Sequence, residues 1–148
     1  MRRIFVAGPI TGLIDKHTGL VRESFKKDQL SLIEFLRGDG HNVYSAHERE
    51  SWGSKLDEPK TALKLDLEAI READLLIARL GPVASPGVHV EIGFALAIGC
   101  PLITLHGKRF KKPYLLDGYS LFTKHINLEM DSNQIYYRKI SSFIESLN

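Results

Sequence analysis

The chain has 148 residues, 43% of them hydrophobic, which fits one domain, residues 1–148, with a full-sized core. Its formal net charge of +2 is too small, by itself, to mark a binder of nucleic-acid polymers. The single cysteine, Cys100, excludes an intramolecular disulfide and fits a reducing compartment. The six histidines are scattered without ligand spacing, so no metal site is expected. The start, Met1 to Phe5, leads into an apolar run too short for a signal peptide or a membrane span. A cytoplasmic protein with no membrane contact is the expectation.

Ile4–Ala7 is a continuous apolar run ended by Gly8-Pro9, the pattern of a strand buried on both faces. Ile10 to Gly19 reads as loop. Leu20 to Arg37 turns helical, with Phe25, Gln29, Leu32, Ile33 and Leu36 on one face and Gly38 and Gly40 as stop signals. Asn42–Ser45 is a second strand. His47 to Pro59 is polar and irregular; Trp52 within it is a loop anchor or one wall of a pocket, the anchor being the blander reading.

Lys60 to Ala73 is a helix that places Ala62, Leu63, Asp66, Ile70 and Ala73 on one face, so Asp66 interrupts an apolar stripe. Asp74 is a turn residue before the strand Leu75–Ala78. Ser85-Pro86-Gly87 is a loop signal running into an almost wholly apolar helix from Val88, expected to be buried on most sides. Pro101–Leu105 is a fourth strand and His125–Leu128 a weak fifth. Lys108-Arg109-Phe110-Lys111-Lys112 is a short basic run, read as a solvated loop, with binding of phosphate or nucleic acid as the lesser reading. The last helix, Ser132 to Leu147, aligns Tyr136, Ile140, Phe143, Ile144 and Leu147.

Strands alternating with helices predict an α/β fold: a doubly wound, flavodoxin- or Rossmann-like parallel sheet of about five strands with helices on both faces. Ligands in such folds bind at the carboxyl ends of the strands, at the switch point. Glu91 is the second carboxylate out of pattern, among Val90, Ile92, Phe94 and Ala95. Its position near the helix start suits either a nucleophile held ionised by the helix dipole or a cap on free amides. Neither GxGxxG nor a phosphate-binding P-loop is present, which disfavours dinucleotide oxidoreductases and P-loop NTPases; no cofactor is expected.

Three segments together carry a family likeness: Phe5-Val6-Ala7-Gly8-Pro9-Ile10; Asp66-Leu67-Glu68-Ala69-Ile70 with Ala73-Asp74; and Ser85-Pro86-Gly87 leading to Glu91-Ile92-Gly93-Phe94-Ala95. In order and spacing they resemble the nucleoside 2-deoxyribosyltransferase superfamily, which includes nucleoside 5'-monophosphate N-glycosidases. The resemblance covers residues 4 to 105. It implies that Glu91 is the nucleophile that attacks the anomeric carbon and that Asp66 assists beside it. It implies a substrate site built from Phe5, Gly8, Pro9, Ile10 and His47 with Ser85, Pro86 and Gly87, and a homodimer or larger homo-oligomer.

Ser85 stands where base-exchanging transferases carry an aspartate. A serine there resembles the monophosphate N-glycosidases, and Ser-x-Gly ahead of a helix suits a phosphate. The reading is therefore cleavage of the N-glycosidic bond of a (deoxy)ribonucleoside 5'-monophosphate, with base exchange as the alternative. Phe5 replaces the family's usual tyrosine, whose hydroxyl bears on sugar selectivity and nucleophile orientation. Thr11 stands where the glycosidases carry an arginine, so phosphate charge would have to be met by other groups such as Arg22, Lys26 or a neighbouring subunit. A non-catalytic nucleotide-binding module is the reading from another class; two costly carboxylates in an apolar site argue against it. With both carboxylates in one site, the helix start is expected to keep Glu91 charged and leave a shared proton on Asp66.

Overall fold

The apolar runs 4–7, 75–78 and 102–105 become inner strands buried on both faces, as parallel strands flanked by helices are. The computed structural model describes residues 1–147. The strands are β1 (Arg3–Ala7), β2 (Asn42–Ser45), β3 (Leu75–Arg79), β4 (Leu102–His106) and β5 (His125–Glu129), all parallel in the order β2-β1-β3-β4-β5. The helices are α1 (Glu23–Gly38), α2 (Ala46–Arg49), α3 (Pro59–Glu72), α4 (Pro86–Ile98) and α5 (Ile135–Glu145). Three 3₁₀ segments join them at Thr11–Leu13, Ser51–Gly53 and Tyr114–Leu121.

Alternation along each strand divides the core in two. Ile4, Val6, Leu75, Ile77, Ile103 and Leu105 pack with Leu32, Ile33 and Leu36 of α1 and Ile140 and Ile144 of α5. Phe5, Ala7, Leu76, Ala78 and Leu102 pack with Ile70 of α3 and Val88, Ile92 and Ala95 of α4. This is the doubly wound arrangement read from the pattern, and the strand order reverses between β1 and β3.

The face expected on α1 is the face buried, Gln29 included. Asp74 is the turn residue expected, its Oδ2 accepting the Arg3 amide at 2.8 Å. Trp52 is an anchor, its ring 5.4 Å from that of His47 and its carbonyl accepting the Val21 amide at 2.8 Å. Leu63, placed on the buried stripe by spacing, is half out of α3.

Helix α4 departs most from expectation. It starts at Pro86, whose fixed φ suits the first helical position. It ends at Gly99, whose φ of 70° is the left-handed stop glycine adopts without strain. Only Val88, Ile92 and Ala95 are buried; Val90 is 51% and Ile98 43% exposed. The helix is apolar all round yet covered on one side only. No helix among the described residues is long and apolar enough to cross a membrane.

Candidate active site

At the reversal point β1 is followed by Gly8. A side chain there would sit 3.1 Å from the Phe25 ring and 3.3 Å from Gln29 and His47, so glycine lets the chain pass close over α1. Beside it opens a cavity of about 610 Å³, lined by Gly8, Ile10 and Thr11 from the β1 loop, Asp66 from α3, and Ser85 to Val88 and Glu91 from α4. That volume is of the size that small-molecule sites commonly have.

Ser85 caps α4: its side-chain oxygen accepts the Val88 amide at 3.3 Å. With Pro86 at the first helical position, Glu91 falls in the second turn. The helix dipole acts mainly within the first turn, so it gives Glu91 little help. Desolvation dominates instead, joined by the nearby Asp66 charge and a hydrogen bond to Asp66, and the Glu91 pKa is pushed up to about 8.

Asp66 is also raised by burial, but Arg49 opposes this: Nη1 donates to Asp66 Oδ1 at 2.7 Å. The division of charge is therefore the reverse of the sequence expectation. Asp66 keeps the charge because it has a guanidinium partner, and Glu91 carries the proton and donates to it.

Arg49 is a hub. Its Nε donates to Asp57 Oδ2 at 2.6 Å, its Nη2 to Glu50 Oε1 at 3.2 Å, and its Nη1 also to the Tyr44 hydroxyl. Burial works against the charged guanidinium, yet the bonds from Asp66, Tyr44 and Asp57 outweigh it and hold its pKa above the ordinary value. Tyr44 in turn stacks on Phe5, ring centroids 5.1 Å apart. Among charged residues, the cleft thus has Glu91, Asp66, Glu50 and Asp57 in its wall and Arg49 behind them.

A scan of protein-family models and a search of curated proteins give no match. Solved structures do match. The Clostridium botulinum CMP N-glycosidase BcmB is 30% identical at a TM-score of 0.71, covering 95% of this chain and 98% of its own. The chain belongs to the nucleoside 2-deoxyribosyltransferase superfamily. BlsM, also 30% identical, aligns at a TM-score of 0.83 over 99% of this chain and 91% of its own. A 2-deoxyribosyltransferase from Bacillus psychrosaccharolyticus shares the fold, at 18% identity and a TM-score of 0.68 over 98% of this chain and 95% of its own. The chain is an enzyme of this superfamily, whose solved members named here include an N-glycosidase and a 2-deoxyribosyltransferase.

On this deoxyribosyltransferase-type fold the cleft brings together Gly8, Ile10, Asp66, Ser85, Pro86, Gly87 and Glu91. It does not bring in Phe5, Pro9 or His47, all of which are buried behind it. Phe5 is an inner β1 residue whose ring faces Tyr44, so its influence passes through Tyr44 and Arg49. His47 is fully buried; its Nε2 donates to the Pro9 carbonyl at 2.9 Å, and burial pulls its pKa down to about 4 despite that bond. It fixes the β1 loop as a neutral ring. Of the two cations suggested for the phosphate, Lys26 lies over the Trp52 ring at 5.6 Å, and neither it nor Arg22 lines the cleft.

Sequence reasoning missed Arg49, Glu50 and Asp57, which fell in a segment read as irregular. The signal was there: Ser45-Ala46-His47-Glu48 is the capping pattern Ser-x-x-Glu that announces a helix. Ser45 does cap α2, its oxygen accepting the Glu48 amide at 3.5 Å, and that turn delivers Arg49 and Glu50 to the site.

Proposed function

We propose that the protein cleaves the N-glycosidic bond of a nucleoside 5'-monophosphate through a glycosyl-Glu91 ester, releasing base and sugar phosphate. The observation that carries this is that Glu91 and Asp66 line one nucleotide-sized cleft beside the capped start of α4, with burial and the Asp66 charge raising the Glu91 pKa. On substrate binding the proton moves from Glu91 to Asp66 along their hydrogen bond. That one transfer makes the nucleophile and the acid together. The Glu91 carboxylate attacks the anomeric carbon, the glycosidic electron pair leaves on the base, and Asp66 supplies the proton that neutralises it. Asp66, ionised again beside Arg49, then takes a proton from water as the water attacks the ester, and the Glu91 carboxylate is released.

Ser85 at the α4 cap, with the first amides of the helix, receives the 5'-phosphate, because free amides and the positive helix end favour an anion. Serine here rather than aspartate favours hydrolysis over base exchange. The exposed apolar side of α4, with Val90 and Ile98, continues onto Leu121 and Phe122, 83% and 69% exposed. The two segments are tied by Thr123 donating to the Gly99 carbonyl at 3.2 Å. We propose that a second copy of the chain covers this face; Phe122→Glu should then convert a dimer to a monomer in sedimentation. Cys100, a free thiol whose pKa burial pushes up to about 11, fits a cytoplasmic setting.

The test is a panel of nucleosides and their 5'-monophosphates, with and without acceptor bases, followed by chromatography. Base release from monophosphates alone supports the proposal; new nucleoside formed only with an acceptor base replaces it with transfer. Mass spectrometry with a slow fluorinated substrate should find the sugar adduct on the Glu91 peptide.

A further inference from the structure

On the opposite face of the sheet, one charged group has no adequate partner. Arg79 closes β3 one residue after Ala78, so alternation points it to the α1/α5 side, away from Glu91. It is 7% exposed. Its Nε has no hydrogen-bond partner among the described residues, and its Nη2 reaches Asp28 Oδ2 only at 3.5 Å. Asp28 is itself 65% exposed, so solvent weakens that pair. The guanidinium lies 4.2 Å over the Phe25 ring, and burial pulls its pKa down. A buried cation with so little compensation is costly unless something else meets it.

Two cavities meet at this side chain. One, of about 370 Å³, is walled by Asp28, Tyr136 and Tyr137 and reaches the start of α5; the other, of about 260 Å³, is walled by Arg109, Phe110 and Lys111. Arg79, Gly107 and Met130 line both, so they form one groove, and it shares no lining residue with the Glu91 cleft. We propose that this groove is a second binding site, for a small phosphomonoester whose phosphate pairs with Arg79.

The chemistry favours that ligand class. A guanidinium fork matches two phosphate oxygens at once. Arg109 and Lys111 add the charge that a dianion calls for, and three cations face two carboxylates along the groove. Of those carboxylates, Asp131 is engaged, its Oδ1 accepting the Ile135 amide at 2.9 Å. Tyr136 donates its hydroxyl to Tyr137, and burial raises the Tyr137 pKa, so the Tyr137 hydroxyl stays protonated and able to donate. Phe110, packed close against Gly81, and Met130 give an apolar wall for the organic part. The basic run at 108–112, a solvated loop by sequence with phosphate or nucleic-acid binding as the lesser reading, thereby gains a partner in Arg79.

The experiment is an amide NMR titration of the full chain with inorganic phosphate, then with a phosphomonoester. Saturable shifts at Gly107 and Tyr136 are expected. Arg79→Gln should weaken them more than tenfold, Arg109→Ala with Lys111→Ala should weaken them too, and Asp28→Asn should tighten binding by removing the competing charge. The last three positions are exposed, so those variants test the site even if Arg79→Gln fails to fold. Shifts confined to Gly87 and Val88, or no response to Asp28→Asn, would overturn the proposal. So would a single-stranded oligonucleotide that binds through Lys108 and Lys112 independently of Arg79, which would make the run a polynucleotide contact.

Discussion

The shared proton makes the pH profile diagnostic. Glu91 and Asp66 titrate as a pair, and the upper step lies at about 8. The singly protonated pair is the form that can become Glu91 carboxylate and Asp66 acid. It persists to about pH 8 and is then lost tenfold per pH unit, so roughly a tenth remains one unit above that step. The secondary phosphate ionisation, near 6, lies well below this limb. The value of kcat/KM for base release, which reports the free enzyme, should therefore fall above pH 8 with unit slope. Asp66→Asn reverses the sign. Without the Asp66 charge and hydrogen bond, the Glu91 pKa drops, although desolvation, the largest cause, still keeps it above 4.5. Residual activity then needs only ionised Glu91, so it rises with pH to a plateau reached before 8. A parent profile flat to pH 9.5, or an Asp66→Asn profile that keeps the same alkaline limb, would refute the shared-proton reasoning.

Three further outcomes follow from the same geometry. Glu91→Gln should abolish base release yet stabilise the fold at high pH. A carboxyl raised from 4.5 to about 8 on folding holds its proton longer than in the unfolded chain, so its stabilising contribution is full below 4.5 and fades as pH rises to 8. The slope is at most about 1.4 kcal/mol per pH unit, and the gain in melting temperature of the variant over the parent should grow between pH 5 and 8. Arg49→Gln strips Asp66, Asp57 and Glu50 of their cation; we expect a loss on the order of 3 kcal/mol in denaturant unfolding and an alkaline limb moved above that of the parent. Ser85→Asp places a negative charge at the α4 cap and should weaken monophosphate binding at least about tenfold while sparing free nucleosides, as read by calorimetry.

Most of the fold was legible because its strands are short, apolar and spaced by helices. Asn42–Ser45 forms the strand expected to the residue, and the α1 face from Phe25 to Leu36 is the one buried. Strand ends moved by a residue where a polar side chain could still pair in the ladder, as Arg79 and His106 do at the ends of β3 and β4. Helix α4 misled because uniform apolarity does not say what covers each side. Tertiary neighbours take three of its residues, and Val90 and Ile98 are left outward.

The site was legible where it broke a pattern and illegible where it did not. Asp66 and Glu91 stood out as carboxylates on apolar faces, and the structure sets both in one cleft. Arg49 could not stand out, since a cation in a polar stretch breaks no rule. Its importance arises only when β2 and α2 carry it across to α3, where one side chain meets Asp66, Asp57, Glu50 and Tyr44. The same contact explains the reversed proton. A helix-start argument treats each carboxyl alone, whereas the charge of the pair is decided by which member a guanidinium reaches. Arg49 reaches Asp66, so Glu91, the nucleophile of the proposed mechanism, rests neutral, and on that proposal it becomes reactive only when its proton crosses to Asp66. On the proposed mechanism the nucleophile stays quiet until a substrate makes the transfer favourable, and Asp66→Asn, which takes away two of the causes that raise the Glu91 pKa, loosens that restraint and removes the proposed acid.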